Sequence, residues 1–241
     1  QKQFADRLKL ARELDTLGAS LPDHPEFRAF DRATEEALAV IQGSDAQAFD
    51  LNRESAEMRE RYGRNTFGQC CLAARRLVEA GVPYITINAQ GWDTHKRHFE
   101  SMKRLAPQFD QGVAALLEDL AEKGLLDSTL IWCTGEFGRK PKVDFGEPWN
   151  GGRNHYGDCF SVMVAGGGFA GGRGLGESHA RGEHPVRRPV PPVDLLWGIY
   201  GLAGIDPAAK MPNPRGLDLS ILPPDGGKNK IRELYRKGEA V

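Results

Sequence analysis

Apolar residues along the chain follow two different spacings. In residues 1–18 and 25–42 they recur every three or four positions, which predicts two amphipathic helices. The polar stretch that follows is rich in helix-forming residues, so we treat 1–65 as a helical segment. Beyond it, apolar residues come in short continuous runs, which are typical of buried strands.

Residues 66–206 are predicted to form an α/β core. Continuous apolar runs favour strands that are covered on both faces, and the order strand, helix, strand, strand favours parallel pairing. We therefore predict one α/β domain over residues 1–241, with a mostly parallel sheet and helices on both faces. The predicted strands are 83–89, 128–138 and 160–166, and the predicted helices are 66–80, 98–123 and 192–206.

The composition argues against several kinds of partner. The 241 residues include 32 lysines and arginines against 33 aspartates and glutamates, which gives no electrostatic reason to expect a nucleic acid or an anionic membrane. No run of about 18 apolar residues occurs, so we predict no membrane span. The cysteines show neither a C-x-x-C motif nor a disulfide framework, and we interpret them as buried free thiols. They are Cys70, Cys71, Cys133 and Cys159.

The first residues, QKQFADRLKLARELD, read as the middle of an amphipathic helix. No initiating methionine, signal sequence or strand precedes them. We therefore expect the chain to be the C-terminal part of a longer protein whose N-terminal part is missing.

Polar residues stand next to the predicted strands. Asp93 and His95 of the stretch GWDTHKRHF come after the first strand, Glu136 and Arg139 come after the second, and His155 lies in the loop before the third. In parallel sheets, ligand-binding groups collect in the loops beyond the carboxyl ends of the strands. Carboxylates and imidazoles together suit zinc, manganese or another divalent ion. We therefore predict a metal site here, provided that the loop curls so that Asp93 and His95 point at one centre.

Each of these residues also has a purely structural interpretation. Asp93 or Thr94 could cap the helix that begins near residue 98. His98 is expected on that helix as a surface or packing residue, and Glu136 could form a structural ion pair with Arg139. The site hypothesis depends on the three clusters meeting in space.

Two further loops carry residues with potential chemistry. The glycine-rich stretch 165–176 follows a strand, but no helix clearly opens there and no acidic residue stands at the ribose-binding spacing, so we interpret it as a mobile loop rather than a dinucleotide site. The loop 176–189 carries His179, Glu183 and His184. We interpret it as a solvated connection, with the alternative that its arginines or histidines meet an anionic substrate.

Five separated motifs, in this order, resemble a known family. They are FGQCCLAARRLVEAGVPYITI, WDTH, LLEDLAEKGLLDSTLIWCTGEFGR, GRNHYGDCFSVMVAGGGFAGG and PVDLLWGIYGLAGID. Together they resemble the sulfatase-like bacterial family known as domain of unknown function 1501, which is placed in the alkaline phosphatase superfamily. The resemblance implies a phosphatase-like α/β fold and metal-dependent hydrolysis of phosphate or sulfate esters.

The resemblance also implies roles for particular residues. Asp93 and His95 resemble the central Asp/His ligand pair of that superfamily, and His155 resembles its last histidine ligand. Glu136 stands where the superfamily usually has an Asp-His pair, and its neighbour Phe137 cannot ligate a metal. The spacing D-x-H is also closer than the D-x-x-x-H of the superfamily. The nucleophile is expected outside this chain.

Three functional hypotheses follow. In the first, Asp93, His95 and His155 hold one divalent metal, zinc or manganese, Glu136 reaches a second, and Arg139 or Arg153 binds the oxyanion of a small anionic ester. In the second, the chain is a non-catalytic binding or structural protein that keeps the fold. The third and weakest is an oxidoreductase built around the glycine-rich stretch. Family resemblance alone favours export, for instance to the periplasm.

Overall fold

The computed structural model describes most of the chain, and it divides into two compact units, Gln1–Arg53 and Glu54–Val241. The side chains of 37–42 and 44–45 are outside the description. The described residues are 6–7, 9–10, 13–16, 20, 24–42, 44–213, 215–223, 226–227 and 231–238.

The first unit is helical where it is described. Helix α1, Pro25–Gln42, forms as predicted, and two 3-10 turns follow it at Ser44–Phe49 and Leu51–Arg53. Of the helix predicted over 1–18, the described positions 6–7, 9–10, 13–14 and 16 are helical, Asp15 is described but is not helical, and the others lie outside the described residues.

The second unit contains the remaining helices and three short strand pairs. The helices are α2 (Ala56–Arg61), α3 (Thr66–Glu79), α4 (His98–Glu122) and α5 (Pro192–Leu202), with 3-10 turns at Leu126–Ser128 and Arg232–Leu234. The strands are β1 (Ile131–Cys133), β2 (Gly138–Arg139), β3 (His155–Tyr156), β4 (Met163–Ala165), β5 (Glu177–Ser178) and β6 (Pro185–Arg187).

Helices α3 and α4 form the main helical contact of this unit. Their apolar faces meet through buried residues such as Leu72, Leu116 and Leu120. Gly68 permits the close approach of α3 to the end of α2, because a Cβ there would lie 1.9 Å from the carbonyl oxygen of Tyr62. Within the described ranges, no helix combines the length and the apolar character needed to cross a membrane.

A buried arginine crosslinks this helical layer. The Arg75 side chain on α3 is 3% exposed, and its Nη2 lies 2.8 Å from Glu54 Oε2 while its Nη1 bonds Glu79. Its Nε lies 2.8 Å from Asp119 Oδ2 on α4, a charge contact without hydrogen-bond alignment. The Tyr62 hydroxyl donates to the same Asp119 oxygen at 2.9 Å. One guanidinium therefore joins three carboxylates from three parts of the unit.

The predicted mostly parallel sheet is wrong. The described part of the chain has three separate two-stranded antiparallel pairs, β1–β4, β2–β3 and β5–β6. A parallel β1–β4 pair would need a crossover connection, usually a helix. Residues 134–162 between them hold the β2–β3 pair and no helix, so the chain returns antiparallel.

The first predicted strand accounts for much of this error. Residues 83–89 form no strand, and none of their amides donates a backbone hydrogen bond among the described residues. The Tyr84 side chain is 84% exposed, and Trp132 in the middle of β1 is 43% exposed. Short apolar runs do not by themselves specify a buried strand, because what decides burial is the partner that covers them.

A second apolar core lies around α5. Its buried members are Phe169, Leu195, Ile231 and Tyr235, and Val164 of β4 packs against them. This core ties the β1–β4 pair to α5 and to the 3-10 turn Arg232–Leu234. The cysteines are all free, and only Cys71 is buried, whereas Cys70 is exposed.

We expect Asp119→Ala to lower the free energy of unfolding by about 3–5 kcal/mol, because it removes one of the three carboxylates around the buried Arg75 guanidinium and the acceptor of the Tyr62 hydroxyl. Chemical denaturation followed by circular dichroism measures this. Glu118→Ala, on the exposed face of the same helix, removes only a surface pair with Arg61 and should cost less than about 1 kcal/mol. Equal losses for the two variants would contradict the role of the buried network.

The same network predicts acid sensitivity. Burial raises the pKa of Glu54 and of Glu79, but hydrogen bonds from Arg75, with Arg76 at Glu54 and Lys123 at Glu79, bring each pKa below its ordinary value of 4.5. A carboxyl whose folded pKa is lowered stabilises the fold above its unfolded pKa, and this contribution is lost as the pH falls through the folded pKa.

We therefore expect the free energy of unfolding to decrease as the pH falls below about 4.5. Urea titrations between pH 7 and pH 3 measure this dependence. Glu54→Gln should be less stable than the wild type at pH 7 and should lose less on acidification. Parallel pH curves for the two proteins would show that Glu54 does not contribute.

Candidate metal centre

The loop before α4 curls tightly. The amide of Thr94 donates to the carbonyl of Trp92 at 2.9 Å, and the amide of His95 donates to the carbonyl of Asp93 at 3.2 Å. Each of these bonds closes a three-residue turn, and the two turns follow each other directly. The side chains of Asp93 and His95, two residues apart, consequently reach the same point.

The second histidine of the cluster, His155, comes from the β2–β3 pair. In its register, Arg139 of β2 stands directly opposite His155 of β3. Directly opposed residues of an antiparallel pair place their side chains side by side. The ladder therefore brings a guanidinium and an imidazole together beside the Asp93 carboxylate.

Asp93, His95 and His155 offer three ligand atoms to one centre. Asp93 Oδ1 lies 3.0 Å from His95 Nε2 and 3.2 Å from His155 Nε2, and the two Nε2 atoms are 3.0 Å apart. Ligands that share a metal at about 2.0–2.1 Å lie about 2.9 Å apart at right angles and about 3.4 Å apart at the tetrahedral angle. The three atoms thus have the spacing of ligands that share one metal ion and leave further coordination positions open.

The fourth charged group at this point is Arg139. Its Nη2 bonds Asp93 Oδ1, the oxygen that also faces both histidines. Hydrogen bonds from Arg139 and from His155 hold the pKa of the Asp93 carboxyl below its ordinary value of 3.8. Asp93 is therefore a carboxylate at neutral pH, as a metal ligand must be.

The other two predicted site residues are placed differently. Glu136 is exposed and lies outside the group formed by Asp93, His95 and His155, so its role as ligand of a second metal stays a prediction. Arg153 uses its guanidinium to hold β2, since its Nε donates to the Lys140 carbonyl at 2.5 Å and its Nη2 to the Arg139 carbonyl at 3.0 Å.

Phe137 and Thr94 contact the rings of His155 and His98, and the sequence did not identify either contact. The ring of Phe137 lies 4.5 Å from the ring of His155 and tilts against it. Thr94, which is buried, contacts the Nδ1 atom of His98 through its hydroxyl at 2.6 Å. Burial, with the positive charges of Arg153 and Arg139, lowers the pKa of His98, which favours the neutral ring. The contact with Thr94 therefore holds the His98 ring in place at the start of α4.

The loop over Asp144–Gly152 clamps the curled segment. The amides of Arg97 and His98 donate to the carbonyls of Trp149 and Gly151, each at 3.1 Å. Gly152 allows this contact, because a Cβ there would lie 1.8 Å from the carbonyl oxygen of His95. In the sequence, only the glycine of GGRNH could have indicated this close approach, and a glycine does not reveal which segment packs against it.

The loop with His179 and His184 contacts the same ladder through β3. Its two imidazole rings stack at 5.1 Å, and Glu183 Oε2 lies 3.6 Å from His179 Nδ1. The Tyr156 hydroxyl donates to the carbonyl of Glu183 at 2.5 Å. The loop is thereby tied to β3, next to His155.

The second unit therefore combines helices with short antiparallel ladders and carries a surface cluster of one aspartate and two histidines. The family model described as protein of unknown function (DUF1501) matches residues 1–234, and the chain belongs to that family. No curated protein and no solved structure matches the chain.

We expect Gly152→Ala to displace His95 and to lower the free energy of unfolding by about 1–3 kcal/mol, because the added methyl group meets backbone rather than a movable side chain. Thermal unfolding and the imidazole NMR signals of His95 and His155 measure the two effects. Gly157→Ala is the matched control, since a Cβ at Gly157 meets nothing within 4 Å. Unchanged imidazole signals in Gly152→Ala would contradict the clamp.

Proposed function

We propose that Asp93, His95 and His155 bind one divalent metal ion, zinc or manganese, and that this centre serves the hydrolysis of phosphate or sulfate esters. The observation that carries the proposal is the triangle of ligand atoms with sides of 3.0–3.2 Å. One carboxylate oxygen and two imidazole nitrogens form a donor set that such ions accept.

The open side of the cluster suits an ester. The Asp93 side chain is 67% exposed and His155 is 50% exposed, so a ligand can reach the centre from solvent. Catalytic metal sites keep a coordination position for water or substrate, unlike closed structural sites. A bound metal would act there as a Lewis acid toward an ester oxygen.

Arg139 is the residue that we assign to the anionic group of the ester. Its planar guanidinium can donate two parallel hydrogen bonds to phosphate or sulfate oxygens. Arg153 holds β2 through the Arg139 carbonyl. The guanidinium N–H groups of Arg153 that do not bond β2 make this residue the second candidate for binding the oxyanion. In this arrangement a metal held by Asp93, His95 and His155 would contact the ester on one side, and the Arg139 guanidinium would bind its anionic oxygens.

The sulfatase-like character and the link to the alkaline phosphatase superfamily belong to this proposal. They rest on the five motifs in their order, of which WDTH and GRNH supply the aspartate and the two histidines of the cluster. The location proposed with them is outside the cytoplasm.

A non-catalytic metal-binding protein is the second candidate. Among the described residues, Asp93, His95 and His155 form the one group with metal-ligand spacing, and Glu136 is not part of it. A single metal without a partner ion favours binding over the two-metal clamp that many phosphoryl-transfer sites use.

Elemental analysis after loading with zinc or manganese tests the metal site. We expect close to one equivalent in the wild type and a loss of at least tenfold in affinity for Asp93→Ala, because the only negatively charged ligand is removed. Glu136→Ala is the matched control and should retain the metal. Equal metal content in the wild type and in Asp93→Ala would refute the site.

Activity is tested separately. A panel of aryl phosphate and sulfate esters, assayed with the full-length protein in added zinc or manganese and with its Asp93→Ala variant, separates the two candidates. Metal-dependent turnover that Asp93→Ala removes supports hydrolysis. Metal binding without turnover supports the non-catalytic candidate.

A further inference from the structure

Arg139 pairs with the carboxylate oxygen that a metal ion would need as a ligand. Its Nη2 bonds Asp93 Oδ1, and that same oxygen lies 3.0 Å and 3.2 Å from the two histidine nitrogens. A cation held by these three atoms would have the guanidinium as its immediate neighbour. The Arg139 side chain is only 16% exposed, so solvent screens its charge poorly.

The charge balance of the site follows from these contacts. Asp93 and Arg139 neutralise each other, and neutral histidines add nothing. A divalent cation therefore brings two uncompensated positive charges next to a guanidinium. A tetrahedral dianion such as sulfate or a phosphate ester restores neutrality. Two of its oxygens can accept parallel hydrogen bonds from the guanidinium and so replace the contact with Asp93.

We infer that Arg139 couples the two ligands: it pairs with Asp93 when the site is empty, and it transfers to a tetrahedral dianion when a divalent metal takes Asp93 Oδ1. Metal and dianion then bind cooperatively, although each alone binds weakly. This inference rests on the proposed metal site, and it assigns Arg139 as the residue that selects dianionic ligands.

One alternative arrangement would leave Arg139 paired with Asp93 when the metal binds. Asp93 could keep Arg139 on Oδ1 and offer Oδ2 to the metal, which would leave the guanidinium where it is. Metal and dianion would then bind independently of Arg139. The two arrangements differ in binding constants and need no catalytic assay.

The test is a titration of the 241-residue chain with Mn²⁺, with free Mn²⁺ measured by electron paramagnetic resonance. One series contains sodium sulfate and the other contains sodium chloride at the same ionic strength. We expect sulfate to tighten Mn²⁺ binding about tenfold, within the usual range of coupling between two sites. By linkage, Mn²⁺ should tighten sulfate binding by the same factor, which calorimetry measures.

Arg139→Gln separates the coupling from direct ligation of the metal by sulfate. Without the competing guanidinium, this variant should bind Mn²⁺ more tightly than the wild type in chloride, and sulfate should change its affinity little. Lys96→Gln is the matched control, because it removes an equal positive charge next to His95 from an exposed side chain. It should retain the sulfate effect of the wild type.

The outcomes distinguish this inference from the proposal beneath it. If Mn²⁺ binds but sulfate has no effect, or has the same effect in Arg139→Gln as in the wild type, the coupling is wrong and the metal site stands. If neither Mn²⁺ nor Zn²⁺ binds, the metal site and the coupling are both wrong.

Discussion

The buried guanidinium of Arg75 is the constraint on which the second unit depends. A charge that is almost fully removed from water persists only if opposite charges surround it, and Glu54, Glu79 and Asp119 do so from three parts of the chain. The ion pair with Asp119 links α3 to α4. Since α4 begins at His98, three residues beyond His95, the placement of that helix also fixes one end of the candidate metal centre.

The centre itself is assembled from segments that lie far apart in sequence. The curled loop supplies Asp93 and His95, the β2–β3 ladder supplies Arg139 and His155, and the loop ending in Gly152 joins them. Each segment is short, and none would hold its shape alone. The hydrogen bonds between loop backbones replace the extended sheet that commonly positions such side chains.

The sequence predicted the helices well because amphipathic spacing is a local property. Helix α4 was expected over 98–123 and runs His98–Glu122. Asp93, His95 and His155 come together and Glu136 does not join them, and the parallel sheet from which their meeting was argued is wrong. Strand pairing is not local, and a run such as PYITINA carries no information about which chain, if any, will cover it.

The burial of Arg75 was equally invisible in the sequence. An arginine in an amphipathic helix reads as a solvent-facing residue, and only the three-dimensional placement of Asp119 reverses that. The same holds for the contact between Arg139 and Asp93, which joins a loop and a strand 46 positions apart. In both cases a charge pair depends on tertiary proximity, which periodicity cannot express.

The central claim is that one metal ion binds between Asp93, His95 and His155. Anomalous diffraction from crystals of the chain loaded with zinc, recorded on both sides of the zinc absorption edge, tests it most directly. We expect one strong anomalous peak about 2 Å from Asp93 Oδ1 and from the two Nε2 atoms. A loaded crystal without a peak at this point, or with its peak at other residues, would contradict the claim.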